Sequence, residues 1–195
     1  MKKSLYCIAS CFNFCFMTSV NASPSLEDLS ILNVESIGSA CRTVSATVEV
    51  IDTETLAFEM QSLSATSVSS TPPQHSRKNC MILTDFSYPD NWQYSLVSVD
   101  MEGKIDLNKT AKAVHKISHH YQGHSTDTIA EISFEGPMAD EYSETSPFEP
   151  QTWSPCGRKR HLVSNFQTRV KNSEENPSTI DTKEINIIKI QWREC

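Results

Sequence analysis

Between Arg77 and Tyr94 the chain reads RKNCMILTDFSYPDNWQY, and no other stretch restricts the fold so strongly. Cys80, Ile82, Thr84 and Phe86 alternate with their neighbours at the two-residue period of a strand. Pro89-Asp90-Asn91 supplies turn chemistry, and Trp92, Tyr94 and Leu96 run back. Together these predict a β-hairpin tied down by a disulfide. The same period recurs on either side. Val44, Ala46, Val48 and Val50 form one alternating run, and Leu56, Phe58 and Met60 resume it after the turn Asp52-Thr53-Glu54. Ala130, Ile132 and Phe134 form another, and Leu162, Ser164, Phe166, Thr168 and Val170 one more.

Other segments are read by their neighbours. Thr110 to Tyr121 fits either a helix or a strand, and the strands flanking it favour strand. Ile185 to Arg193 is apolar in part on both faces, as a central strand is. Ile31 to Ile37 is a candidate edge strand inside a polar lead-in spanning residues 23–40. Gly103 reads as a turn before Ile105 and Leu107. Ser62 to Ser76, closed by Pro72-Pro73, reads as a surface loop. Asp140 to Glu149 reads as an acidic connection after Gly136-Pro137, and Lys171 to Lys183 as a polar loop. Strands spaced by turns predict an all-β fold, an antiparallel β-sandwich stabilised by two disulfides, occupying residues 41–195.

The disulfides follow from compartment. Met1 to Ala22 has a Lys2-Lys3 start, a short apolar stretch from Leu5 to Met17 and small residues at Val20-Asn21-Ala22, the pattern of a signal peptide cleaved near Ala22. The stretch is shorter than the roughly 20 residues of a membrane span, so no span is expected in the mature chain. Of seven cysteines, Cys7, Cys11 and Cys15 lie in this segment. Cys41, Cys80, Cys156 and Cys195 remain, with no CxxC spacing that would favour zinc, so they read as two bridges in an extracellular or periplasmic protein. Hairpin geometry favours Cys41–Cys80 and Cys156–Cys195, each closing a loop of about forty residues and contributing roughly 4 kcal/mol in the chain-entropy model. The two crossed pairings stay open.

Landmarks along the chain carry a resemblance. Arg77-Lys78-Asn79-Cys80, Tyr88-Pro89-x-x-Trp92-Gln93, Gly136-Pro137, Trp153-Ser154-Pro155-Cys156-Gly157 and Gln191-Trp192-Arg193-x-Cys195 resemble domain-of-unknown-function family 4360, small secreted proteins of fungi and bacteria with four cysteines. Ala40-Cys41-Arg42 departs from that family's usual Gly-Cys-Pro. The resemblance implies export and disulfides and supplies no catalytic residue.

Net charge is −7, and without residues 1–22, which hold Lys2 and Lys3 and no carboxylate, it becomes −9. Such a balance argues against nucleic acid as a partner, because phosphate binding needs a positive field. Three groups of residues bear on a site. His115, His119, His120 and His124 are weak metal candidates, since a strand would hold His115 and His119 about 13 Å apart, too far to share an ion. Trp92, Tyr94, Tyr121 and Trp153 could stack on sugar rings, although aromatics in sandwiches more often fill the core, the role expected of Trp192. Asp85 and Asp100 would have to face each other across a cleft to act as a glycosidase pair. No nucleophile motif or phosphate loop occurs, and no cofactor is expected. The leading expectation is a non-catalytic exported protein that binds an extracellular or envelope ligand, a glycan among the candidates. A secreted carbohydrate hydrolase is the alternative, and a histidine metal site the third reading.

Overall fold

A computed structural model describes residues 23–41, 46–72 and 76–195. The signal segment with Cys7, Cys11, Cys15 and Ala22 lies outside the described residues, as do Arg42, the start of the first alternating run with Val44, and Pro73. After a 3-10 turn at Leu26–Asp28 come twelve strands: β1 (Ser30–Ile37), β2 (Thr47–Asp52), β3 (Thr55–Glu59), β4 (Ala65–Ser67), β5 (Arg77–Ser87), β6 (Trp92–Leu107), β7 (Lys112–Tyr121), β8 (Thr128–Glu135), β9 (Met138–Pro147), β10 (Leu162–Lys171), β11 (Ser178–Thr182) and β12 (Ile185–Glu194). One sheet has the order β1-β5-β10-β7-β8. The other runs β2-β3-β12-β6-β11-β4, with β9 also paired to β6. Asp100 of β6 pairs with Ile187 of β12 and with Thr145 of β9, so β9 lies along the opposite edge of β6. Every pairing is antiparallel. The molecule is the expected sandwich.

Alternation explains which face is buried. On β7, Ala113, His115, Ile117, His119 and Tyr121 point inward. They meet Leu162, Ser164, Phe166, Thr168 and Val170 of β10 in direct register. From the other sheet come Leu56, Phe58, Tyr94, Leu96, Val99, Met101 and Ile188, all fully buried. Phe58 and Phe166 touch across the gap with ring centroids 5.5 Å apart. Burying side chains of this size stabilises by about 1.5–3 kcal/mol each. β6 stays inward along 16 residues because its register shifts between Leu96 and Ser98, moving the buried positions from Tyr94 and Leu96 to Val99, Met101, Ile105 and Leu107.

Several sequence readings need correction. Gly103 lies inside β6 and makes no turn: it pairs with Tyr142 of β9 and Thr182 of β11. A Cβ there would overlap the Asp181 carbonyl oxygen and come 2.6 Å from Tyr142 Oη, so only glycine lets the three strands close up under the tyrosine ring. The acidic connection is strand β9, the polar loop contains β11, and the Ser/Thr loop contains β4 with Leu63 and Ala65 buried.

The disulfides are Cys41–Cys80 and Cys156–Cys195, with Cα atoms 5.5 and 5.7 Å apart. The hairpin reasoning behind them does not hold. Cys41 follows β1, which pairs with β5, so Ile37 lies beside Met81 and the chain returns to Cys80. The second bridge joins the ends of segments that flank β6, since β10 and β12 belong to different sheets. The Cys195 amide donates to Asn91 O at 2.9 Å, and the Ser154 amide to Tyr94 O at 2.8 Å.

Candidate binding face

The four histidines do not converge. His115 and His119 are buried on one face of β7, His120 lies on the other face next to the strand's last residue, and His124 lies exposed beyond it. His120 Nδ1 sits 3.0 Å from Asp127 Oδ1. His115 Nδ1 lies 3.1 Å from Tyr142 Oη. The His119 ring meets Phe148 edge-on at 4.6 Å, and neither of its nitrogens has a hydrogen-bond partner. Burial lowers His115 to about 4. Burial, helped by the His120 charge, lowers His119 to about 3. Both rings are therefore neutral at pH 7. Among the described residues no group of three or more His, Cys, Asp or Glu could hold a metal ion.

The aromatic candidates are mostly interior. Tyr94 and Tyr121 are fully buried, and Trp92 is 9% exposed. Phe86, Tyr88, Tyr94 and Trp192 pack with centroids 5.1–5.9 Å apart, and Tyr121 donates its hydroxyl to Tyr94 O at 2.9 Å. Trp153 is half-buried and covered by Arg193, whose guanidinium carbon stands 4.1 Å from the ring centroid. Arg193 Nε donates to Gln93 Oε1 at 2.8 Å, while the Tyr88 hydroxyl and the Tyr94 amide both donate to Ser154 Oγ. The sequence landmarks around Tyr88, Trp92, Trp153, Cys156, Trp192 and Cys195 thus form one brace that fixes the end of the sandwich.

The acidic pair is likewise separated. Asp85 lies between buried Thr84 and Phe86, so it faces away from the core on the five-stranded sheet, where His161 pairs with it. Asp100 lies between buried Val99 and Met101 and faces away on the other sheet, accepting a hydrogen bond from Thr145 Oγ1 at 2.6 Å. Two packed sheets, roughly 10 Å apart, stand between them. These two carboxylates cannot flank one glycosidic bond.

What the register does assemble is the outward face of the five-stranded sheet. At one end Lys171 of β10 pairs with Lys112 of β7, which pairs with Glu135 of β8. The next row holds Arg77, Arg169, Val114 and Ser133. Then come Asn79, Gln167, Lys116 and Glu131. Beyond lies a row of Ile37, Met81, Asn165 and the buried Ser118, and past it Leu83 beside Val163. A cavity of about 340 Å³ opens at the cationic end between Arg77, Arg169, Lys116, Gln167 and Glu131. Sequence reasoning missed Arg77 and Arg169 as a unit. They stand 92 residues apart and meet only through the β5–β10 register.

The fold and this face define a two-disulfide antiparallel sandwich with a polar, cation-ended sheet surface. The chain belongs to the family described as domain of unknown function (DUF4360), whose model matches residues 27–195. A curated relative, an "Uncharacterized secreted protein" of Arthroderma benhamiae (strain ATCC MYA-4681 / CBS 112371), is 28% identical over 134 residues. That match covers 63% of this chain and 53% of the relative, so the chain spans about half the relative's length. Among solved structures, a chain in "Structure of deformed wing virus, a honeybee pathogen" aligns with 100% of this chain and 59% of its own length, at 8% identity and a TM-score of 0.24. A likeness that slight carries no argument. No helix among the described residues is long and apolar enough to cross a membrane.

Proposed function

We propose that this protein is exported after cleavage near Ala22 and works without catalysis, by binding a ligand outside the cell or at its envelope through the outward face of the five-stranded sheet. The observation that carries the reading is the register of that face. Five strands bring cations, amides, hydroxyls and a few apolar groups into one surface, and the half-exposed residues on it include Asn79, Gln167, Asn165 and Lys116. Export is supported by the relative described as secreted and by the engagement of all four cysteines of residues 41–195 in bridges, which persist in oxidising compartments. Histidines and carboxylates of the kinds that catalyse hydrolysis are present, but they are dispersed between the core and opposite faces.

Glycan arrays and pull-downs from envelope fractions test the reading, using the oxidised mature chain. A saturable ligand whose binding is weakened by substitutions on this face, and unaffected by changes on the other sheet, is the expected result. Absence of any ligand in both assays, or turnover of a bound glycan, would overturn it.

A further inference from the structure

Charges on paired strands follow a rule that the five-stranded sheet breaks in two adjoining rows. Where strands pair, a cation generally stands opposite an anion: Lys104 opposite Glu141, Lys112 opposite Glu135 and Lys116 opposite Glu131. The first two pairs close at 2.8 and 2.5 Å, the third at 3.9 Å. Arg77 and Arg169 instead stand directly opposite each other, with Lys171 facing Lys112 in the adjoining row. Like charges placed this way destabilise a sheet. The Arg77 guanidinium is steadied by donating to Gln167 Oε1. Among the described residues, no hydrogen bond or ion pair engages the Arg169 side chain. In a chain of net charge −7, nothing in composition forces cations together here. An arginine set opposite a like charge with no side-chain partner inside the protein is the mark of a site completed from outside.

We propose that the Arg77–Arg169 pair, with Lys171 and Lys116 beside it, binds carboxylates of an acidic polysaccharide; this rests on the binding role proposed above and names its ligand. Two guanidinium forks side by side match the planar, two-oxygen geometry of a uronate carboxylate. The cavity at this end admits such a group between the arginines. Next to the cations the face offers the half-exposed side chains of Asn79, Gln167 and Asn165, whose amides suit the hydroxyls of adjoining sugar units. Five strands give a surface roughly 20 Å wide, enough for several residues of an extended polymer.

The test is biolayer interferometry at low ionic strength on immobilised polygalacturonate, dextran sulfate and neutral dextran, comparing the oxidised mature chain with two double variants. Arg77→Ala/Arg169→Ala removes the pair. Arg158→Ala/Arg160→Ala removes an equal charge from the loop after Cys156. The native protein should bind polygalacturonate and not dextran. The first variant should bind at least about tenfold more weakly, with a melting temperature unchanged or raised by relief of repulsion, and the second as the native protein does. Equal losses in both variants would reduce the effect to net charge and overturn the site. Binding to dextran sulfate as strong as to polygalacturonate would overturn the carboxylate assignment. Failure to bind either anionic polymer while the array yields another glycan would sink this inference and leave the binding role standing; failure in both would sink both.

Discussion

Acid should unfold this protein through two histidines. His115 and His119 are held neutral by burial, at about 4 and about 3 against an ordinary value of 6.5. As pH falls below 6.5 the unfolded chain takes up protons at both rings while the folded protein refuses them. Stability is therefore whole above pH 6.5, is lost progressively as pH falls toward the folded values, and stops changing on their account below about 3. At about 1.4 kcal/mol per unit, each ring removes roughly 2 kcal/mol by pH 5 and roughly 3 kcal/mol by pH 4. The two together approach the whole stability of an ordinary domain, about 5–15 kcal/mol. Exposed carboxylates held down by lysines, Glu135 and Glu141, lose their contribution only as pH falls below 4.5, which leaves the window from 6.5 to 5 to the histidines. The assay is urea unfolding at pH 7.5, 6 and 5, run on the native protein and on His119→Leu. Leucine fills a similar volume, and no hydrogen bond is lost, because neither His119 nitrogen has a partner. The variant should match the native protein within about 1 kcal/mol at pH 7.5 and exceed it by about 2 kcal/mol at pH 5. Parallel pH profiles, or the His115 or His119 imidazole titrating near 6.5 by NMR in the folded state, would refute the reasoning.

Two further outcomes test the scaffold. Gly103→Ala should cost about 2–3 kcal/mol and lower the melting temperature by roughly 5–10 °C, since the new methyl meets strand backbone that cannot swing aside; an unchanged melting curve would contradict the described β6–β11 spacing. Cys156→Ser/Cys195→Ser should cost about 2–4 kcal/mol, and thiol titration of the unfolded native protein without reductant should find none of the four described cysteines free.

Much of the fold was legible because its strands carry the signal that burial writes. β5 and β10 alternate apolar and polar residues, whereas β7 was placed by its neighbours because His115 and His119 blur its period, and β6 was followed only to Leu96, beyond which its register shift moves the buried positions to Val99 and Met101. The segments misread are those where burial writes little. β9 buries only Tyr142 and Ser146, and its Asp140 and Glu144 are charges of the kind that protect an edge strand from pairing with other chains. β4 and β11 span three and five residues, too short for a period to show. Gly103 looked like a turn because glycine usually marks one, whereas here it makes room for a neighbouring strand's tyrosine. The binding face was illegible for a different reason. Outward positions obey no hydrophobic period, and the partners of Arg77 and Lys116 are set by pairings that sequence spacing does not reveal.

The position of β12 has a consequence for how the molecule comes into being. It lies between β3 and β6, so the strand latest in the sequence joins the two parts of its sheet. A chain emerging from its beginning holds every other strand of that sheet in hand and still lacks the keystone. Until it arrives, β3 and β6 have nothing between them and the core stays open, a long-range closure that makes folding slow. In the export proposed above, such an order would keep the sheet from closing until β12 has followed, after which Cys195 can be fastened to Cys156.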